Sequence, residues 1–414
     1  MDKTVVELFA GVGGFRVGLN NIKTINTAGV AIEDGDFNFI WANQWEPSTK
    51  GQPAFECYKK RFNCNENELS NEDITEVEKE KIPNHTLLCG GFPCQDYSVA
   101  RSLKNEKGIE GKKGVLWWQI NDILKVKKPA FVLLENVDRL IKSPSKQRGQ
   151  AFGIMLRCFY DQGYSVEWRV INAAHYGHPQ RRRRVFIFAF RNNTKYFEKI
   201  AKLKCEEIIC SKGVFAKHFP VELCSNKLKT VRIKEYNDLV DVSENFKERF
   251  ENCGLMIKGI AYTAKSVPIE SESLPLKNII EENVSDEYFL DDKKVKKFEY
   301  LRGAKKVLRT RKSDGGKYYY SEGAMSKYDS LELPGRTMLT SEGTVNRSTH
   351  IIEDFKEKKV RFLTPVECER LNQFPDNWTD TMDKRKRYFM MGNALVCGVI
   401  AKLGAEISSI IDDE

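Results

Sequence analysis

The sequence lacks the features that mark membrane, secreted and metal-binding proteins. No apolar run approaches the roughly 18 residues of a membrane span, and the first residues, Met1 to Phe9, carry no secretory pattern. The eleven cysteines show no paired C-x-x-C spacing, and no histidine stands at zinc-ligand spacing from them. Internal repeats and low-complexity linkers are also missing. We therefore expect a cytoplasmic protein with reduced thiols, no metal and no membrane association.

The composition is that of an ordinary globular protein of two or three domains, with 414 residues, 41% hydrophobic and 30% charged. The formal charge of +9 is modest but unevenly distributed. Between Lys293 and Lys312 there are ten lysines or arginines against one glutamate, interleaved with Phe298 and Tyr300. Such a run is most often a solvated face, but it is also the pattern of phosphate contacts in a nucleic-acid-binding protein.

Apolar, β-branched runs separated by helical patterns predict an α/β fold with a largely parallel sheet. We predict buried strands at residues 4–10, 37–42, 86–89, 129–134, 166–172 and 185–190. Near the end, Thr364-Pro365 predicts a helix cap, and Met391 to Ala394 is predicted to open a terminal helix that packs on the sheet.

The first strand ends in a glycine turn, Phe9-Ala10-Gly11-Val12-Gly13-Gly14, followed by a helical pattern. Glycines at this place allow a ligand to approach the backbone near a helix N-terminus. The turn is not G-x-G-x-x-G, because an aromatic residue replaces the first glycine of a pyrophosphate binder, and this favours a cofactor without phosphates. After the second strand, Glu46 could bind ribose hydroxyls and Trp45 could cover an adenine ring. Asp73 could cap a short helix or accept a bond from an adenine amino group.

A cysteine stands at the centre of the most informative stretch, Leu88 to Gln95. The apolar strand breaks into Gly90 and Gly91, and Pro93 then fixes a rigid corner before Cys94. A thiol presented on such a corner is a candidate nucleophile, although most cysteines are structural. The polar, glycine-rich residues 101–113 that follow suit a lid over a substrate.

Two further stretches support a catalytic interpretation. Glu135, in Glu135-Asn136-Val137, ends a fully apolar strand, where open α/β sheets bind their ligands. Four arginines, Arg181 to Arg184, lead directly into another buried strand. Alternate arginines must then face opposite sides, so that one side points into the cleft.

These stretches, in this order, resemble the C5-cytosine DNA methyltransferase family. The resemblance covers residues 4–190 and 361–405 and rests on six motifs, which are Phe9–Gly14, Gly91–Gln95, Glu135–Val137, Gln180–Arg184, Arg361–Glu367 and Gly392–Ala394. It implies a Rossmann-like, S-adenosylmethionine-dependent catalytic domain with an irregular or β target-recognition domain inserted before the C-terminal helix. We accordingly expect a catalytic domain at 1–190, a DNA-reading domain at 191–360, and a segment at 361–414 that returns to the catalytic domain.

Carried over by position, the resemblance implies roles for individual residues. Cys94 would be the nucleophile, Glu135 the acid at the cytosine edge, and Arg184, supported by Arg182, would hold the base. The residues expected to bind the cofactor are Phe9, Gly11, Gly13, Gly14, Trp45, Glu46, Asp73, Ile74, Pro93, Leu116, Asn393 and Ala394. The family usually places its ribose-binding acid directly before the aromatic residue, whereas here Gln44 precedes Trp45 and Glu46 follows it. Which of the two contacts the ribose is left open.

The expected partner is duplex DNA bound by a monomer. The predicted DNA contacts are Gln95, Ser98, Gln180, Lys305, Lys306, Arg336, Thr337, Thr340 and Arg347. Among them we expect Lys305 and Lys306 to position phosphates, and Arg336 and Arg347 to read bases.

The predicted reaction is methyl transfer to C5 of a flipped-out cytosine through a covalent Cys94–C6 adduct, serving to protect host DNA from a cognate restriction endonuclease. The same chemistry on tRNA and a catalytically inactive DNA-binding relative are the alternatives. The long variable region argues against the first, and the presence of both Cys94 and Glu135 argues against the second. A nicotinamide dehydrogenase is disfavoured by the form of the glycine turn.

Replacement of the predicted nucleophile tests this interpretation. Cys94→Ala should abolish methyl transfer and leave DNA binding largely intact, because the thiol is needed for chemistry and not for affinity. Duplex containing 5-fluorocytosine should trap a covalent adduct with wild type and none with the variant. Methyl transfer by Cys94→Ala within about tenfold of wild type would contradict the assignment.

Overall fold

The computed structural model describes the 414-residue chain except for residues 48, 50, 93–115, 226 and 312–314. The strands are β1 Thr4–Leu8, β2 Asn38–Asn43, β3 Leu69–Ser70, β4 Leu87–Gly91, β5 Phe131–Val137, β6 Tyr164–Asn172, β7 Arg183–Arg191, β8 Val221–Leu223, β9 Lys229–Arg232, β10 Cys253–Ile257, β11 Ile260–Ala264, β12 Ser266–Pro268, β13 Lys305–Thr310, β14 Lys317–Glu322, β15 Ile351–Glu353 and β16 Val360–Phe362.

The α-helices are Gly14–Leu19, Pro53–Phe62, Leu116–Lys127, Gln150–Asp161, Lys195–Ile200, Cys205–Glu207, Leu239–Asn245, Asp292–Arg302, Pro365–Leu371, Lys384–Asn393 and Cys397–Asp412. Short 3-10 turns occur at Lys79–Lys81, Asp138–Lys142, Ala173–His175, Ile233–Glu235, Leu276–Asn278 and Asp286–Tyr288, and a π-helical turn at Ile208–Lys212. The predicted cap at Thr364 is confirmed, because its hydroxyl accepts the backbone N–H of Glu367 at 3.1 Å.

A ten-stranded sheet in the order β3-β2-β1-β4-β5-β7-β6-β10-β11-β9 organises the described residues. Strands β3, β2, β1, β4 and β5 run parallel, whereas β7 is antiparallel to both β5 and β6. The strand order reverses between β1 and β4, which places a topological switch point at their carboxyl ends. The predicted α/β fold class is thus confirmed, and the expected location of the site follows from the topology.

Helices cover both faces of the parallel part of this sheet. Alternate residues of each strand enter different apolar clusters, with Leu133 on one face and Val132 and Leu134 on the other. Burial on both faces explains why these strands read as continuous apolar runs. The helix Cys397–Asp412 lies close to the helix Gly14–Leu19, and a Cβ at Gly18 would meet the Cβ of Ile400 at 2.5 Å.

The predicted packing of the terminal helix on the sheet domain is therefore confirmed, but its predicted start was wrong. Residues 391–393 end the preceding helix, and Ala394 adopts an extended backbone before the last helix begins at Cys397. In the described part of the chain no single helix could span a membrane; only Lys384–Asn393 and Cys397–Asp412, bent by 46° to each other, satisfy length and composition as a pair.

The glycine pair after the predicted strand 86–89 lies inside β4, not beyond it. Gly90 pairs with Leu8 of β1 and Leu134 of β5. A Cβ at Gly90 would approach the carbonyl oxygen of Leu8 to 2.7 Å, so only glycine lets the strands come this close. The prediction of a break was wrong because a glycine needed for close packing looks like a turn signal in the sequence.

The sheet also continues into the part of the chain that we predicted to form a separate domain. Strand β10 pairs with β6 from Cys253 to Met256, and β11 and β9 extend the sheet beyond it. The division at 190 and 360 stays a prediction of folding units. The shared sheet is an argument for a later first boundary, after Ala264.

One of the buried acids of this fold has a strongly raised pKa. Glu7 of β1 is completely buried, and the hydroxyl of Tyr58 donates to its Oε2 at 3.0 Å. Burial raises the pKa of Glu7 from 4.5 to about 8. The folded protein therefore keeps a proton that the unfolded chain releases, and it loses stability as the pH rises from about 4.5 to about 8.

We predict that Glu7→Gln removes this pH dependence. The difference in the free energy of unfolding, variant minus wild type, should rise by up to about 1.4 kcal/mol per pH unit across this interval. Urea denaturation of both proteins at pH 5, 6, 7 and 8 measures the difference. Parallel pH profiles would show that Glu7 is already ionised in the folded protein.

Candidate active site

The predicted site residues lie at one edge of the sheet. Phe9 follows β1, Trp45 follows β2, Asp73 follows β3, and Glu135 stands near the end of β5. Because these strands are parallel neighbours, their carboxyl ends meet at the same edge. Widely separated parts of the sequence are thereby brought together around the switch point.

The glycine turn is held open by a left-handed backbone and a buried amide. Phe9, Gly11 and Gly13 have φ values of 54°, 58° and 87°. The backbone N–H of Gly11 donates to Oε1 of Gln44 at 2.6 Å, and Gln44 is 5% exposed. A Cβ at Gly11 would meet no atom within 4 Å, so the turn borders open space. Gln44 thus positions the turn, a role that its place before Trp45 did not predict.

Trp45 and Glu46 lie beside this turn. Trp45 is 36% exposed, which leaves part of its indole accessible. The Glu46 carboxylate is half-buried and accepts a hydrogen bond from Thr49 at 3.3 Å. Burial raises the pKa of Glu46, and the bond from Thr49 opposes that rise. Gln44 is buried and already accepts the Gly11 N–H, whereas the half-buried Glu46 carboxylate has further acceptor capacity.

Asp73 has a local partner in a turn. Its Oδ1 accepts the N–H of Thr75 at 3.0 Å, which agrees with the capping alternative, although residues 74–76 form a turn and not a helix. Ile74 is buried at the same place. Leu116 lies in the helix Leu116–Lys127.

The last predicted motif meets the first. Asn393 ends a helix with its side chain exposed, and Ala394 is half-buried. A Cβ at Gly14 would lie 3.1 Å from Cγ of the following residue, Leu395. The C-terminal segment therefore borders the glycine turn, as the predicted cofactor set requires.

Glu135 and Arg184 form an ion pair at the ends of β5 and β7. The Nε of Arg184 lies 2.9 Å from Oε1 of Glu135, with 18% and 13% of their side chains exposed. Because β7 runs antiparallel to β5, its first residues lie beside the last residues of β5. Gly91 of β4 faces the same carboxylate, and a Cβ there would stand 3.2 Å from Oε2 of Glu135.

Asn136 connects this acid to the strand that leads towards Cys94. Its buried side-chain amide donates to the carbonyl oxygen of Phe92 at 2.7 Å. Phe92 is the last described residue of that stretch; Pro93, Cys94, Gln95 and Ser98, and the predicted lid at 101–113, lie outside the described residues. We gave Asn136 no role from the sequence, although a polar residue between Glu135 and Val137 was a usable signal.

Arg182 ties three distant segments together. Its guanidinium is 3% exposed and donates to the carbonyl oxygens of Met338, Gly392 and Asn393, each at 3.1 Å. Burial, with the nearby Arg184 charge, lowers the pKa of Arg182. The alternation predicted for the arginines is confirmed, because Arg181 and Arg183 are exposed while Arg182 is buried.

Gln180, a predicted DNA contact, is fully buried inside the protein. Its amide donates to Oδ1 of Asn372 at 2.7 Å, and its Oε1 accepts the N–H of Met338 at 3.1 Å. The hydroxyl of Thr337 donates to the Arg181 carbonyl oxygen, and Thr340 packs against Gly392. Contact of Gln180 with DNA stays a prediction, and these bonds argue for a structural role.

The two arginines predicted to read bases are engaged within the chain. Arg336 binds both carboxylate oxygens of Asp329, at 2.6 and 3.2 Å, and the carbonyl oxygens of Ser348 and Thr349. Arg347 lies 2.9 Å from Oε2 of Glu322 and donates to the carbonyl oxygens of Leu301 and Gly323. Their base-reading role stays a prediction, and these contacts argue against it.

Comparison with known proteins identifies the family. The family model of C-5 cytosine-specific DNA methylases matches residues 3–409. The chain belongs to the C-5 cytosine-specific DNA methylase family. It is therefore a DNA (cytosine-5-)-methyltransferase, as the sequence motifs predicted, and DNA is its substrate.

Individual relatives agree with this assignment. The methyltransferase is 51% identical to the type II methyltransferase M.Sau3AI of Staphylococcus aureus, over 99% of this chain and 97% of the relative. It is 33% identical to the type II methyltransferase M.HhaI of Haemophilus parahaemolyticus, over 45% of this chain and 49% of the relative.

The solved structures show the same fold at low identity. A DNMT2 mutant from Spodoptera frugiperda matches with a TM-score of 0.58 and 16% identity, over 99% of both chains. Dnmt2 of S. pombe matches with a TM-score of 0.58 and 14% identity, over 99% of this chain and 98% of that one.

The bond from Asn136 to Phe92 yields a prediction for catalysis. Asn136→Ala leaves the Phe92 carbonyl oxygen without its donor, at a cost of about 1–3 kcal/mol. We expect the methylation rate to fall by about tenfold or more, because the backbone that precedes Cys94 loses an anchor. Single-turnover methylation of duplex DNA measures this rate.

Gln44→Ala is the matched control. It removes the bond to Gly11, so its main effect should be weaker binding of S-adenosylmethionine, measured by calorimetry. If Asn136→Ala and Gln44→Ala lost methylation rate and S-adenosylmethionine affinity in the same proportion, the two amides would not have separate roles.

Proposed function

We propose that this methyltransferase transfers a methyl group from S-adenosylmethionine to C5 of a flipped-out cytosine in a specific short duplex site. The observation that carries the proposal is the Glu135–Arg184 ion pair beside the strand that leads to Cys94. An acid and a guanidinium at the switch point can together bind a polar base edge. In the free protein they satisfy each other, and a base would exchange that bond for its own.

The residues at the glycine turn fit the cofactor. The open space at Gly11 accepts a ligand against the backbone, and the accessible indole of Trp45 can cover an adenine ring. Glu46 has acceptor capacity for ribose hydroxyls, and Asp73 keeps Oδ2 for an adenine amino group. Gly13, Gly14, Ile74, Pro93, Leu116, Asn393 and Ala394 would complete the walls. When bound, the sulfonium supplies an electrophilic methyl group.

Cys94 and Glu135 would divide the chemistry on the base. Cytosine C5 is a poor nucleophile, and addition of the Cys94 thiolate at C6 makes C5 electron-rich. Glu135 would accept a hydrogen bond from the amino group and share a proton with N3, and Arg184 would donate to O2, so that these bonds strengthen as charge develops. After transfer, loss of the C5 proton releases the thiolate. Because the reacting carbons are stacked inside a duplex, the base must first be flipped, at a cost of a few kcal/mol.

Arg182 would support the base-holding Arg184 indirectly. By binding the carbonyl oxygens of Gly392, Asn393 and Met338, it fixes the wall of the cleft next to Arg184. We therefore regard Arg182 as a positioning residue that links the cofactor side of the cleft to the recognition region.

The biological role that we propose is protection of host DNA from a cognate restriction endonuclease, by a cytoplasmic monomer. It is supported by the full-length similarity to a relative described as a type II methyltransferase. The same similarity favours DNA over tRNA, the first alternative. Against an inactive relative stand Cys94 and Glu135 in the sequence.

Labelled S-adenosylmethionine incubated with the protein and either duplex DNA or tRNA distinguishes the alternatives. We expect label in the duplex, removed by replacing cytosine with 5-methylcytosine in the methylated site. Label only in tRNA would contradict the proposal, as would binding of DNA without any transfer.

Glu135→Gln tests the role of the acid. The amide keeps the shape but loses the charge, so we expect the methylation rate to fall by about 100-fold or more. The dissociation constant for S-adenosylmethionine should stay close to that of wild type. Calorimetry and single-turnover kinetics measure the two quantities, and a loss mainly of cofactor affinity would assign Glu135 to the cofactor site instead.

A further inference from the structure

A hairpin in the recognition region presents an unpartnered face. Strands β13 and β14 pair with each other and with no other described strand. The pairing register puts Lys305, Val307, Arg309, Tyr318, Tyr320 and Glu322 on one face, which we call the inner face. The outer face carries Lys306, Leu308, Thr310, Lys317, Tyr319 and Ser321.

The inner face is turned towards the rest of the protein. Its side chains, except that of Tyr318, line an open cavity of about 370 Å³ together with Tyr300, Leu301 and residues 345–347. Its charges are engaged there, since Lys305 lies 3.8 Å from Glu322 and Arg309 stacks on the Tyr320 ring at 3.7 Å. The inner face therefore provides contacts that hold the hairpin in place.

The outer face has no such partners. All six of its side chains are exposed, including 50% of Leu308 and 62% of Tyr319. Lys306 stacks on the Tyr319 ring at 4.7 Å, and within the described residues neither Lys306 nor Lys317 forms an ion pair. A two-stranded hairpin with an apolar and cationic face in water is marginal on its own, and such a face marks a binding surface.

We propose that the outer face of this hairpin enters the major groove of the target duplex and reads base edges there. The proposal rests on the function proposed above, because it names the element that selects the site. A two-stranded ribbon fits the major groove. Lys306 and Lys317 can donate to guanine acceptors, Thr310 and Ser321 to other base edges, and Leu308 and Tyr319 can contact thymine methyl groups.

Charge complementarity selects DNA over other occupants. Between residues 305 and 322 the sequence holds six lysines or arginines against two acids, Asp314 and Glu322. The preceding helix Asp292–Arg302 adds exposed lysines at positions 293, 296 and 297, which suit the phosphates that flank the groove. A second copy of the same chain would bring the same positive charge and be repelled.

Buried contacts fix the hairpin relative to the active site. At its base, Arg302, 2% exposed, and Arg336 both bind Asp329, and together they hold the pKa of this acid well below its usual range. Arg347 clamps Glu322 of β14 to the loop 341–349. The arginines predicted to read bases thus hold the reading element instead.

The loop continues this connection to the catalytic residues. Arg385 donates to the carbonyl oxygen of Glu342 at 3.0 Å and so joins the loop to the helix Lys384–Asn393. The end of that helix is bound by Arg182, two residues from Arg184. A base contacted by the hairpin is thereby held at a fixed position relative to the cytosine bound in the cleft.

Neighbouring residues of the same type on opposite faces provide matched variants. Lys306→Ala and Tyr319→Ala alter the outer face, and Tyr318→Ala, which removes the neighbouring tyrosine on the inner face, is the matched control. Each protein methylates a duplex library with randomised sites, which is then sequenced after bisulfite treatment. Binding to the preferred and to a scrambled duplex is measured in parallel, with circular dichroism and sedimentation as controls of fold and oligomeric state.

We expect the outer-face variants to lose roughly tenfold or more in discrimination at one or more positions of the site, while Tyr318→Ala keeps the wild-type preference. An outer-face variant that is folded but inactive supports the proposal if it loses binding only on the preferred duplex. If Tyr319→Ala proves unfolded, Lys306→Gln decides the question in its place.

Three results would overturn the inference. They are a wild-type preference in both outer-face variants, an equal loss of binding on both duplexes, which indicates phosphate contacts only, and a dimer that dissociates in Tyr319→Ala. Failure of the wild-type protein to methylate any duplex would instead overturn the proposed function, so the two failures are distinguishable.

Discussion

The arrangement of the cleft depends on the hydrogen bonds that the Arg182 guanidinium donates. This group is a buried cation with carbonyl oxygens as partners, drawn from the recognition region and from the C-terminal segment. Each N–H of a buried guanidinium that finds an acceptor lowers the cost of its burial, and Nη1 and Nη2 of Arg182 find acceptors at residues 338, 392 and 393, whereas its buried Nε has no partner within the described residues. Loss of any one of these carbonyl contacts would leave a further buried donor unpaired. Arg182, which directly precedes β7, therefore connects that strand to the segments around Met338 and Asn393.

The polarity of β7 explains how Glu135 and Arg184 meet. Five parallel strands have their carboxyl ends at this edge of the sheet, and a sixth parallel strand in the place of β7 would bring Arg191 there and not Arg184. Because β7 is inserted antiparallel between β5 and β6, its first residues reach the same edge. Glu135, near the end of β5, and Arg184, near the beginning of β7, then form a diagonal cross-strand ion pair.

Much of this could be predicted from the sequence, and the limits have physical causes. Buried parallel strands are continuous apolar runs, so the ends of β1, β4 and β5 were predictable within three positions. The motifs added the family and its candidate residues. Gly90 was misread as a turn because close strand packing and a tight turn both require glycine. The division at 190 did not foresee that β9, β10 and β11 extend the sheet, since antiparallel pairing between distant segments leaves no local signal.

Polar side chains were the hardest part to predict. The sequence gives residue type but not partner, and a buried arginine looks the same as one that waits for DNA. Arg336, Arg347 and Gln180 were assigned to DNA on chemistry alone, yet each has protein acceptors or donors nearby. Asn136 and Gln44 were passed over for the same reason, because the value of an amide depends on the backbone group that it reaches.

The two faces of the β13–β14 hairpin have different consequences for change over evolutionary time. On the inner face, Lys305 binds the Leu301 carbonyl oxygen and Glu322 binds Arg347, so a substitution of either disturbs contacts that support the hairpin. Outer-face side chains touch almost nothing else in the described chain, and surface substitutions of this kind usually alter stability by no more than about 0.5 kcal/mol. Variation can therefore accumulate on the outer face without a folding penalty. Homologous proteins could therefore acquire different DNA-binding preferences through outer-face substitutions, while the residues of the proposed active site stay unchanged.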